Sequence, residues 1–98
     1  MPRPPDPAPV SLAALVAPNR ERLFRERFAG SALPHSLIRS AGCLLRWATC
    51  ADTLLLMADR VREARAAIAL MLPDEPALRD YDALAGYLDA AAARFPLP

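Results

Sequence analysis

Lysine is absent from these 98 residues, glycine occurs three times, histidine once and cysteine twice. Each shortage excludes something. Three scattered glycines cannot build a phosphate-cradling loop, and they fit poorly with an all-β fold full of tight turns. His35, Cys43 and Cys50 are the only soft metal ligands, with no Cys-x-x-Cys and no His-x-x-x-His pair. A zinc site within one chain needs more than that, so neither metal nor cofactor is expected. Long apolar runs are missing as well. Between Ser36 and Leu72 charges recur throughout, and the longest uncharged stretch, Ala66 to Pro73, is eight residues. A membrane span needs about 20 largely apolar residues.

What is present is an apolar, nearly neutral chain. It is 54% hydrophobic and 23% charged, with a formal net charge of +1. That is enough apolar material to fold and too little charge of one sign to set a global field. All twelve basic residues are arginine, and alanine and proline are abundant, the pattern of a GC-rich coding sequence. The bias runs the length of the chain, so it marks no site. The start, Met1 to Pro9, is proline-rich and carries Arg3 and Asp6, which reads as a flexible arm preceding a single domain over residues 10–98. The apolar run Val10 to Ala17 is followed by Pro18-Asn19-Arg20, a poor match to a signal-peptide cleavage site, so a cytoplasmic location is expected.

The periodicity predicts an all-α fold: a small bundle of three to four helices with one long central helix and a C-terminal αα-hairpin. Ser11 caps a short helix over Leu12 to Ala17, and Asn19 a second over Arg20 to Ala29 that ends at Gly30. Pro34 suits the first turn of a third helix, and no further proline interrupts the chain until Pro73. Asp74-Glu75-Pro76 opens a last helix with Leu78, Tyr81, Leu88 and Phe95 along one stripe. A helix from Ser36 to Leu72 would be about 55 Å long. A domain of this size has a radius of gyration near ~13 Å. Such a helix must break, with Gly42 the candidate point, or lay its free length on another chain.

Cys43 and Cys50, seven residues apart in that helix, would be separated by about 10 Å along its axis. No internal disulfide is therefore expected. Nor does catalytic chemistry assemble. His35 and Leu37 match two positions of the His-x-Leu-Lys-Gly pattern of phosphotransfer domains, but Ile38 and Arg39 stand where lysine and glycine belong. His35 reads instead as an exposed residue at a helix start. The acids Asp52, Asp59 and Glu63 are interleaved with Arg60, Arg62 and Arg65, which reads as a solvated, ion-paired surface. The chain is expected not to be an enzyme.

Two surfaces are candidates for partners. Leu54-Leu55-Leu56-Met57 places four large apolar side chains about 100° apart around a helix, so at least one must face away from the core. With Leu44 and Leu45 they define an apolar helical surface for a partner chain, the function expected of an accessory, adaptor or chaperone-like protein or of a homo-oligomer. The alternative is a small nucleic-acid-binding regulator using Arg20, Arg22, Arg25 and Arg27, a cluster diluted by Glu21 and Glu26. Residues 1–50 hold seven arginines against three acids, a balance of +4. Residues 51–98 hold five against eight, a balance of −3. Such asymmetry suits antiparallel packing between protomers.

Overall fold

The computed structural model describes residues 10, 12–16 and 19–97. The expected proline-rich arm, 1–9, lies outside them. The chain is all-α, with helices α1 (Leu12–Leu15), α2 (Asn19–Phe28), α3 (His35–Trp47), α4 (Ala51–Met71) and α5 (Ala77–Ala92). Among the described residues there is no strand. The radius of gyration is 13.5 Å.

Local chemistry explains most of the boundaries. Gly30 takes φ +80°, which costs glycine little, and the Ser31 N–H closes on the Phe28 carbonyl, ending α2 as the sequence leads one to expect. The Pro34 carbonyl accepts the N–H groups of Leu37 and Ile38, opening α3. Pro76 sits just before α5, in the helical conformation, where its missing N–H costs nothing.

The expected helix over 36–72 is two helices. The break is not at Gly42, which lies inside α3. A β-carbon there would stand 3.4 Å from Glu21 Cγ and Phe24 Cδ2, so glycine lets α2 approach closely. The chain instead breaks at Ala48-Thr49-Cys50, where Ala48 and Cys50 are extended. The physical reason is phase. Leu45 and Leu54 are nine residues apart, so in one continuous helix they would point about 180° apart. Both are 0% exposed. The extended turn rotates α4 relative to α3 and puts both on the same core.

That core joins two pairs: α2 packs on α3, and α4 packs along α5 as the expected C-terminal αα-hairpin. Phe24, Phe28 and Tyr87 tie the pairs together, with ring centroids 5.0 to 5.8 Å apart in tilted and edge-on arrangements. Leu15, Leu84 and Leu88 fill the space around them. Arg62 pairs with Asp59 and Asp89, and Arg65 Nε lies 3.2 Å from Asp82. These pairs lace the exposed edge of the hairpin.

Candidate partner-binding surface

The turn that divides α3 from α4 leaves an open groove of about 560 Å³. Arg39, Cys43, Leu44 and Trp47 on α3 form one wall, and Ala48 and Thr53 continue it across the break. Residues 39, 43 and 47 recur every fourth position and so share a face of α3. Trp47, the only tryptophan, is 67% exposed on the last turn, with the Arg46 guanidinium 5.0 Å from its ring centroid. An indole held in solvent leaves a large apolar area uncovered.

The six apolar residues singled out in sequence divide. Leu45 and Leu54 belong wholly to the core and are unavailable to a partner. Leu44 and Met57 are half-buried, Leu44 in the groove wall. Leu55 and Leu56 are exposed, Leu56 at 56%. Sequence reasoning missed Trp47, which it did not separate from the helix interior, and the end of α4. Leu70 and Met71 are 87% and 83% exposed, followed by exposed Leu72. The available signal was the position of these residues beside Pro73, in the last turn of α4.

The arginine cluster is occupied within the chain. Arg22 pairs with Glu26 at 3.2 Å and donates to the Asn19 side chain. Arg25 lies 2.6 Å from Glu21, which also takes Arg46 at 3.6 Å. The Arg20 side chain donates to the Leu15 carbonyl, and Arg27 sits 5.3 Å from the Tyr87 ring centroid. These contacts spread the four guanidinium groups among separate partners instead of presenting one basic face.

Cys43 and Cys50 are exposed free thiols. The Thr53 hydroxyl, 3.2 Å from Cys50 Sγ, and then the Thr53 backbone hold the Cys50 thiol below its ordinary value. His35 is exposed at the start of α3, beside a smaller hollow of about 260 Å³ shared with Arg25 and Arg39. Among the described residues no three His, Cys, Asp or Glu side chains gather into a metal-binding group, and no helix is long and apolar enough to cross a membrane. The chain matches no protein-family model, no curated protein and no solved structure.

Proposed function

We propose that this chain is a non-enzymatic accessory or adaptor protein that docks a partner chain in the groove between α3 and α4. One observation carries the reading: Trp47 stands two-thirds exposed at the rim of an apolar groove in which only Leu44 and Ala48 pack against the core. Buried tryptophan anchors are common centres of binding energy at interfaces. A helix or extended segment bearing one or two large apolar side chains fits such a groove.

The test is purification of the chain from its native source, identification of the protein that accompanies it, and reconstitution of the pair from purified components. Trp47 is the only indole in the chain, so its emission reports occupancy of the groove when the partner is observed in a window free of its own signal. Binding should shift that emission to the blue, and W47A should weaken the complex by about 2 kcal/mol or more. A reconstituted complex indifferent to W47A overturns the groove reading.

A further inference from the structure

Beyond the groove, α4 carries a second seam that the intramolecular core does not use. Leu54, Ala58, Val61 and Ile68 point toward α5 and the core. On the opposite side Thr53, Leu56, Arg60, Glu63, Ala67 and Leu70 follow one another at alternating steps of three and four residues. They form one stripe of the helix about 26 Å long, with Leu56 and Leu70 as its large apolar side chains. Thr53 is half-buried, and the other five are exposed.

We infer that this seam is the contact surface for a second copy of the same chain, with the two α4 helices antiparallel. The sequence of the seam is complementary to its own reverse. In the antiparallel register Leu70 of one copy faces Thr53 of the other, Leu56 faces Ala67, and Arg60 faces Glu63. The two-fold axis repeats each pair. Large thus meets small at both ends, and the centre holds two Arg–Glu pairs. Parallel pairing would instead set Arg60 on Arg60 and Glu63 on Glu63, so charge selects the antiparallel arrangement.

The charges within the chain agree. Arg62 and Arg65, on the hairpin side of α4, are satisfied by Asp59, Asp89 and Asp82. Arg60 and Glu63 form no ion pair among the described residues, although they lie three apart on the same helix. Leu70, the most exposed large apolar residue among those described, is carried in this register to Thr53, at the edge of the Trp47 groove. The seam meets that groove at Thr53, and its central test, at Arg60 and Glu63, does not touch Trp47.

The test is sedimentation of the full chain from ~5 to ~500 μM, with charge variants. Wild type should pass from monomer to dimer across this range. R60E and E63R should each weaken dimerisation on the order of tenfold by setting like charges face to face. The double variant R60E/E63R exchanges the two charges and should restore the wild-type constant. A second measurement fixes the register. In a chain with Cys43 and Cys50 replaced by serine, T53C/L70C should oxidise to a covalent dimer. These two positions are about 26 Å apart within one chain and cannot bridge internally. A monomer throughout the range, single variants equal to wild type, a double variant weaker than both singles, or no covalent dimer overturns the inference. The charge variants leave the groove lining intact, so their results are separate from the W47A experiment.

Discussion

The Asp80 carboxylate, on the first turn of α5, accepts the backbone N–H of Ala32 at 2.8 Å across 48 residues of chain. It ties the turn between α2 and α3 to the start of α5, the second arm of the C-terminal hairpin. Otherwise the α2–α3 pair is held to that hairpin mainly by apolar contacts around Phe24, Phe28 and Tyr87. Replacing Asp80 with alanine removes a charged acceptor from a backbone donor. It should cost about 1 kcal/mol in urea unfolding, the scale of one net hydrogen bond at a solvent-accessible site. Hydrogen exchange should show Ala32 losing protection first. An unchanged midpoint and unchanged exchange at Ala32 would show that the bond does not hold the turn.

Adjacent leucines at the start of α4 should behave oppositely. Leu54 is 0% exposed, so L54A should cost about 2–5 kcal/mol by lost burial and the cavity left behind. Leu55, next in sequence, is exposed, and L55A should cost less than about 1 kcal/mol. Chemical denaturation of the two variants measures the difference. Equal costs would mean that α4 is rotated from the orientation described.

Alkaline stability should depend on Tyr87. Burial pushes its hydroxyl above the ordinary tyrosine value, with Arg27 pulling weakly the other way. The fold therefore favours the neutral phenol, while the unfolded chain ionises near pH ~10. The contribution of Tyr87 is fully present below that pH and is lost as pH rises through its folded-state value. Y87F keeps the ring and removes the ionisation. Urea midpoints from pH 7 to ~11 should fall less steeply in Y87F than in wild type. Parallel slopes would show that Tyr87 ionises in the fold as it does in the unfolded chain.

Gly86 lies in the interior of α5 with nothing within 4 Å of the space a β-carbon would take. Alanine there restricts the unfolded chain and favours the helix, so G86A should stabilise by about 1 kcal/mol. In a domain of this size that is a rise in Tm of roughly 4–8 °C. A lowered Tm would mean that the position is crowded after all.

Local chemistry made much of the fold legible. The Gly30 stop, the Pro34 start and the boundary at Pro73 are backbone rules, independent of what packs where. Of the stripe Leu78, Tyr81, Leu88 and Phe95, the first three are the buried face of α5, while Phe95 falls beyond the end of the helix and is half-buried. The partner surface was legible only in part. Four consecutive large side chains cannot share one face, which implied exposure within Leu54 to Met57 but not which residue bears it.

The sequence by itself determined that the chain is helical, because its apolar positions recur at three and four and almost nothing in it favours strands or tight turns. It also determined where glycine and proline punctuate the helices. Only the tertiary structure decided that the long apolar stretch is two helices. No proline or glycine marks the break at Ala48-Thr49-Cys50. It is required because Leu45 and Leu54, half a turn out of phase along one helix, both reach 0% exposure when α3 packs on α2 and α4 on α5. Tertiary packing likewise decided which leucines remain uncovered. A helix satisfies its own backbone, but its choice of buried face belongs to its neighbours, and here α5 takes one side of α4 and leaves the other to solvent.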